Sequence, residues 1–318
     1  MLVPVYDIKN CGPRHRFCAN DRLVSNCNWQ NFPRDSDIGG AIQAPPGYLN
    51  VIRDASQIEC RLLNYIAGQW DVIERFANKE DPYIAIASMF YGFPVTKEHS
   101  RERGTGKQLE LSCGYGAGGP TIQATAAKGT YGPPVQITTE DALRARDLYR
   151  STHPAVTAFW KAADILLRQI AGGWEGDWYG FQVRNKRLYL PSGLFLNYES
   201  LHWHEPMLRD LPETITGSPG WRLQTRRGMV RMYGPKLVEN LIQALSRCHI
   251  SEVWQKIIKE GFKVVSMEHD KLILCVPEHV APQVNAWVGD LMSLPPAWAD
   301  KLPLDSEGYI SRTFKRGT

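Results

Sequence analysis

Near its C-terminal end the chain carries two strand-forming runs, Lys263-Val264-Val265-Ser266-Met267 and Leu272-Ile273-Leu274-Cys275-Val276. Between them lie four ionisable residues, Glu268-His269-Asp270-Lys271. β-branched and long apolar residues fit a pleated, half-buried surface, and a short polar link joins two such runs antiparallel. The spacing therefore predicts a β-hairpin with titratable groups at its tip. Elsewhere the patterns are mostly helical, without regular β-α-β alternation. This combination predicts an α+β fold and argues against a doubly wound parallel sheet.

A second strand signal, Tyr48-Leu49-Asn50-Val51-Ile52, follows the turn-prone Pro45-Pro46-Gly47 and leads to Asp54. Beyond it Ile58, Leu62, Leu63, Ile66, Ile73 and Phe76 recur at helical spacing, so a helix is expected just after Asp54. Asp81-Pro82 opens another helix, and Arg101–Cys113 forms one that stops at glycines 114, 116, 118 and 119 and Pro120. Residues 139–171 read as one or two helices broken near His153-Pro154. A strand-rich stretch runs from Gln182 to Asn197, interrupted by Pro191-Ser192-Gly193. A helix over about 234–248 and a short one near 251–260 precede the hairpin. The first thirty-odd residues lack periodicity and are expected to be irregular.

Composition excludes several classes. With 318 residues, 43% hydrophobic and 22% charged, the chain can bury a sizeable core. No apolar run approaches the ~20 residues that span a bilayer, and the first residues do not resemble a secretory signal. A cytoplasmic protein with no membrane partner is expected. Seven cysteines, an odd number spread along the chain, suit reduced thiols. Cys11, His15, Cys18 and Cys27 could ligate zinc, but their spacing matches no standard finger or knuckle, and free side chains are the favoured reading. A net charge of +4 permits nucleic-acid binding without requiring it.

Three constellations could carry chemistry. Asp54 stands at a strand end leading into a helix, where an aspartate would ordinarily serve as an N-cap. Asp270 sits at the hairpin tip, where a carboxylate is ordinarily just solvated. Together, two hard carboxylates on separate strand ends could gather two Mg²⁺ ions for phosphoryl transfer. The third is a stripe four residues apart on one helix, Arg103, Lys107, Leu111 and Tyr115. Its cations suit a triphosphate and its aromatic residue suits a base. Two decoys lie nearby. Gly114-Tyr115-Gly116-Ala117-Gly118-Gly119 satisfies GxGxxG but lacks the surrounding βαβ unit, and Gly106-Lys107 lacks the first glycine and the Ser/Thr of a P-loop.

Taken in order, these segments resemble family A DNA polymerases, particularly the phage branch. Asp54-Ala55-Ser56-Gln57-Ile58-Glu59 is similar to that family's motif A. Arg103-x3-Lys107-x3-Leu111-x3-Tyr115-Gly116 is similar to motif B, and His269-Asp270 to motif C. Asn28-Trp29-Gln30-Asn31-Phe32-Pro33-Arg34 is similar to the N-x-Q-N-x-P segment, and Tyr233-Gly234-Pro235-Lys236-Leu237-Val238-Glu239-Asn240 to a phage-type element before motif C. Leu190-Pro191-Ser192-Gly193 also fits.

The resemblance implies a right-hand polymerase: an antiparallel palm sheet with flanking helices and an inserted, mainly helical fingers region. On this reading residues 1–63 and 186–318 form the palm and 64–185 the fingers. It further implies two Mg²⁺ ions, with Mn²⁺ as a substitute, held by Asp54, the Ala55 carbonyl and Asp270. Arg103, Lys107, Leu111, Tyr115, Glu59, Gln57 and Tyr83 would contact the dNTP, with Lys107 also protonating the leaving group and Glu59 blocking a ribose 2′-OH. Arg16, Gln30, Asn31, Arg34, Tyr233, Lys236, Asn240 and His269 would hold primer–template DNA. The pattern departs from the family at Lys271, where glutamate is usual, at Leu111, where an aromatic is common, and at Arg14-His15-Arg16, which replaces Thr-Gly-Arg. With Met1 only 27 residues before Asn28, thumb and exonuclease domains are expected to be absent and a separate subunit bearing them is expected as a partner. Two rivals stay open: a catalytically weak DNA-binding relic, and a single-subunit RNA polymerase, against which Glu59 argues.

Overall fold

The computed structural model describes residues 16–19, 22–25, 43–130, 134–205 and 218–314. The chain divides into two units. One takes the described residues up to Asp54, Lys256–Val288, and those from Gly308 onward; the other takes Ala55–Gln255 and Gly289–Glu307.

The first unit contains two short strands, β1 (Arg16–Ala19) and β2 (Arg22–Ser25), paired antiparallel with Arg16 opposite Ser25. This corrects the expectation of an irregular stretch there. The main sheet places β3 (Tyr48–Ala55) between β12 (Lys271–Pro277) and β13 (Ser306–Ser311), with β11 (Val264–Glu268) at the edge beyond β12. The predicted hairpin is β11–β12, with Glu268 opposite Lys271 and a register shift between Val264 and Ser266. β12 runs antiparallel to β3, pairing Ile273 with Ile52 and Leu274 with Val51. These four side chains are at most 2% exposed. Consecutive buried residues on both strands mean that the middle of this sheet is covered on both faces, which explains its continuous apolar runs.

The second unit is mainly helical. α1 (Ile58–Ala67) ends at Gly68, whose left-handed backbone (φ 78°) stops it, and α2 (Trp70–Ala77) follows. The two pack Cys60 against Val72, Ile73 and Phe76. α3 (Pro82–Tyr91) is capped by Asp81 with Pro82 in its first turn, as its sequence predicts. α4 (Ser100–Cys113) is followed by α5 (Gly119–Lys128), a helix that the sequence reading did not anticipate. Its first residues are Gly119 and Pro120, which read more naturally as a stop than as a start. α6 (Thr139–Thr152) and α7 (Pro154–Ala171) are separate helices that meet at His153. In α7, Val156, Phe159, Ala163, Leu166, Leu167 and Ile170 are fully buried, the face that a 3.6-residue period dictates. Each large aliphatic side chain so buried contributes about 1.5–3 kcal/mol.

Four short strands, β4 (Gly176–Trp178), β5 (Phe181–Arg184), β6 (Arg187–Tyr189) and β7 (Phe195–Asn197), then form an antiparallel meander. β8 (His202–His204), β9 (Gly220–Thr225) and β10 (Gly228–Met232) form a three-stranded sheet. α8 (Gly234–Lys259) is one 26-residue helix, where a break near 248–251 was expected. Cys248-His249-Ile250-Ser251, at that junction, are all weaker helix formers than alanine. Burial of Ile250 and Val253 to 1% exposure or less outweighs the propensity cost, which is at most about 0.7 kcal/mol per residue. α9 (Ala281–Ser293) follows β12 through the single 3₁₀ turn Glu278–Val280.

α3 and α4 approach so closely at Gly106 that a Cβ there would fall on the Tyr83 carbonyl oxygen and lie 2.9 Å from the Ala87 Cβ. Gly106→Ala is therefore expected to destabilise the protein by about 2–3 kcal/mol despite the ~1 kcal/mol helix-propensity gain. Chemical denaturation would check this.

Candidate active site

Asp54 is not a helix cap. It lies inside β3, four positions before the first residue of α1, and the N-cap of α1 is Gln57, held in a left-handed conformation (φ 55°). In the strand register Asp54 faces Lys271, the residue next to Asp270. Antiparallel pairing thus brings Asp54 and Asp270, 216 residues apart in sequence, to the same end of adjacent strands. His269 and Asp270 make the two-residue turn between β11 and β12, and His269 adopts a left-handed backbone (φ 50°). Both aspartates are partly exposed.

Lys271, the departure from the family pattern, is not a bare positive charge. Its Nζ lies 3.7 Å from Glu268 Oε2 across the hairpin. Glu268 is 9% exposed, and its Oε1 is buried with no hydrogen-bond partner. Burial raises the Glu268 pKa, Lys271 and His269 oppose the rise, and the Asp54 charge adds to it. Crowded carboxylates of this kind suit a divalent cation, which relieves their repulsion. Among the described residues no group of three or more His, Cys, Asp or Glu side chains is placed to hold a metal alone. Mg²⁺ characteristically takes only one or two protein carboxylates, completing its shell with water and substrate phosphates. Asp54 and Asp270, two carboxylates at one end of adjacent strands, fit that requirement.

The second unit carries the stripe. α4 buries Thr105, Gln108, Leu109, Glu110, Ser112 and Cys113, while Arg103, Lys107 and Leu111 lie along a partly exposed band that Tyr115 continues past the helix end. The Tyr115 hydroxyl donates to Glu59 Oε2 at 2.7 Å, so two residues 56 positions apart share one contact. Burial, followed by the Glu59 charge and hydrogen bond, pushes the Tyr115 phenol well above its usual range, which keeps it a donor. The Tyr83 ring lies 5.6 Å from the Arg103 guanidinium carbon and 6.0 Å from Lys107 Nζ. Gly116, with φ 74°, packs against the Pro235 ring so closely that a Cβ would collide, which joins the end of the stripe to the start of α8. Tyr233 is 44% exposed just before α8, Lys236 pairs with Glu239 at 2.8 Å, and Asn240 is partly buried.

Arg16 lies in β1, where only the backbone is described, while Gln30, Asn31 and Arg34 lie outside the described residues. So do Cys11, His15 and Cys27 of the zinc alternative.

Two groups escaped the sequence reading. Asp81 appeared there only as a helix opener, yet Arg103 donates to its Oδ2 from Nε at 2.7 Å and Nη2 at 2.6 Å. Glu110, on the inner face of α4, accepts from Cys60 Sγ at 3.4 Å and lies 3.9 Å from His153 Nε2. Its only sequence signal was a carboxylate on a helix face otherwise facing the core.

Burial raises the Glu110 pKa above the ordinary 4.5, and the charge of His153 only partly opposes the rise. A carboxyl whose folded pKa exceeds its unfolded value favours the folded state below the unfolded value, and this contribution is lost as pH rises through the folded one. Glu110→Gln is thus expected to raise the melting temperature more at pH 8 than at pH 5, which thermal melts at both pH values would check. An equal change at both would contradict it.

The comparisons agree with this architecture. Residues 16–170 match the family profile described as DNA polymerase family A. Over those residues the chain is similar to that family. It is 27% identical to the DNA polymerase of Bacillus phage SP02 over 277 residues, covering 83% of this chain and 41% of that protein. It is 25% identical over 285 residues to the DNA polymerase I of Pseudomonas aeruginosa, covering 86% of this chain and 26% of that protein. The fold matches the POL domain of Pol1 from M. smegmatis, solved in complex with DNA primer-template and dNTP, with a TM-score of 0.64 at 20% identity. That match covers 93% of this chain and 46% of the other. The chain thus spans less than half the length of these relatives. Among the described residues no helix is long and apolar enough to cross a membrane.

Proposed function

We propose that the chain performs template-directed DNA synthesis, adding dNMP from a dNTP to a primer 3′-OH as the palm-and-fingers core of a phage-type replicative polymerase. Residues 1–63 and 186–318 are read as palm and 64–185 as fingers. The observation that carries the proposal is the β3–β12 pairing, which sets Asp54 and Asp270 at one end of adjacent strands.

Asp54, Asp270 and the Ala55 carbonyl would hold two Mg²⁺ ions, with Mn²⁺ as a substitute. When bound, such ions lower the pKa of an attacking hydroxyl and stabilise the charge on a leaving phosphate oxygen. Arg103 and Lys107 bind the triphosphate, and Lys107 is the candidate donor of a proton to the departing pyrophosphate oxygen. Positioning and electrostatics carry most of this class of reaction. Glu59, anchored by Tyr115, excludes a ribose 2′-OH, while Gln57, Leu111 and Tyr83 complete the nucleotide pocket. His269, Tyr233, Lys236, Asn240, Arg16, Gln30, Asn31 and Arg34 are assigned to primer–template DNA.

Lys271 beside Asp270 favours one alternative, a DNA-binding relic with little catalysis. Single-nucleotide primer extension in Mg²⁺ by the full chain separates the two readings. Extension supports synthesis, whereas binding of primer–template without extension supports the relic.

A further inference from the structure

Asp81 holds two partners at once. Its Oδ1 accepts the backbone N–H of Tyr83 at 2.9 Å, capping α3, while its Oδ2 accepts both bonds from Arg103. The Asp81 side chain is 12% exposed and that of Arg103 is 37% exposed, so the carboxylate is the less exposed member of the pair, and its bond to the Tyr83 N–H fixes it. A carboxylate with one oxygen committed to a helix terminus cannot follow a wandering guanidinium; it holds the guanidinium in place. Pro82 stiffens the same helix start, and the buried Tyr83 ring beside Arg103 restricts it from a second side.

Both bonds to Asp81 use the Nε–Nη2 edge of Arg103, which leaves Nη1 to a further acceptor. We infer that Asp81 is a positioning residue for nucleotide binding, holding Arg103 in the orientation in which it meets the triphosphate. This rests on the proposed role of Arg103. If α4 needed only positive charge, a carboxylate in contact with Arg103 would be a handicap, because it cancels part of that charge. A long arginine ordered in advance instead loses its rotamer freedom on folding rather than on binding, and it presents directed donors to phosphate oxygens. The sequence supports the geometry: Asp81, Pro82 and Tyr83 are contiguous, so the cap, the stiffener and the second contact of Arg103 move as one piece.

The test is the equilibrium dNTP affinity of the full chain on a primer–template whose primer lacks a 3′-OH, in Mg²⁺, read by fluorescence titration. Arg103→Ala is expected to weaken dNTP binding about tenfold or more, and Asp81→Asn about five- to tenfold. Asn retains the capping acceptor, so the melting temperature of Asp81→Asn should stay near that of the parent, whereas Asp81→Ala should also lower it. In an Arg103→Ala background Asp81→Asn should add nothing, since the two act as a unit. Unchanged or tighter dNTP binding by Asp81→Asn, or a full effect persisting without Arg103, would overturn the inference while leaving the polymerase reading intact. An Arg103→Ala variant with parental affinity would remove the triphosphate role of Arg103 and the inference with it. A parent chain that binds no dNTP would overturn the functional reading itself.

Discussion

Asp54→Asn and Asp270→Asn are each expected to lower the rate of single-nucleotide addition about a thousandfold or more, with primer–template affinity nearly unchanged. Asparagine keeps the shape of the side chain and one acceptor oxygen but removes the charge, and the charge is what a Mg²⁺ site needs. Both residues stand at strand ends and are partly exposed, so neither substitution opens a cavity or strands a buried group. The expected melting temperatures are those of the parent. Single-turnover extension measured beside a DNA-binding titration would check the pair. A variant that extends primers at a rate within tenfold of the parent would remove that aspartate from the reaction. Loss of folding would instead show a structural role. The neighbouring Glu268 offers an internal comparison. It contacts Lys271 rather than the turn, so Glu268→Gln should cost far less than either aspartate change.

Lys107→Ala is expected to lower the rate of addition by about 10²–10⁴, the range typical of a lost general acid. Lys107→Arg separates its two proposed roles. Arginine restores the positive charge for the triphosphate, but its guanidinium does not give up a proton at accessible pH. The arginine variant should therefore recover dNTP affinity while its rate stays depressed. If arginine restores the rate as well, Lys107 acts only as a charge. A single-turnover titration over dNTP concentration yields both quantities. The site supports the distinction because Lys107 shares the Tyr83 ring with Arg103, one turn earlier on α4. With the directed phosphate contact assigned to Arg103 in the proposed function, a second residue there is the better candidate for moving a proton.

The contrast between Asp54 and Asp81 marks what a linear reading can reach. The place of Asp54 at the end of a strand was legible because its neighbours announce it: an apolar strand before it and a periodic helix after it. Asp81 announced only a helix start, because its partner lies 22 positions away on another helix. The same holds for Glu59 and Tyr115, whose direct hydrogen bond no spacing rule predicts, and for Glu110, which meets Cys60 and His153 from two other elements. The partial family match and the similar fold point to a class of protein, but they do not supply these contacts.

What the sequence determined by itself was local. Alternating and 3.6-residue periodicities are set by the backbone geometry of single elements, so the β11–β12 hairpin, α3, α4 and the break at His153-Pro154 could be read directly. Propensity misled where burial outweighed it, as in α8, which runs unbroken through Ser251 because Ile250 and Val253 are packed away from water. It also misled at α5, whose glycine and proline read as a stop. Tertiary structure alone decided the register that sets Lys271 opposite Asp54, the close approach at Gly106, and the pairing of Asp81 with Arg103. Those depend on which faces of distant elements meet, a free-energy balance summed over the whole packed chain rather than over any window of it.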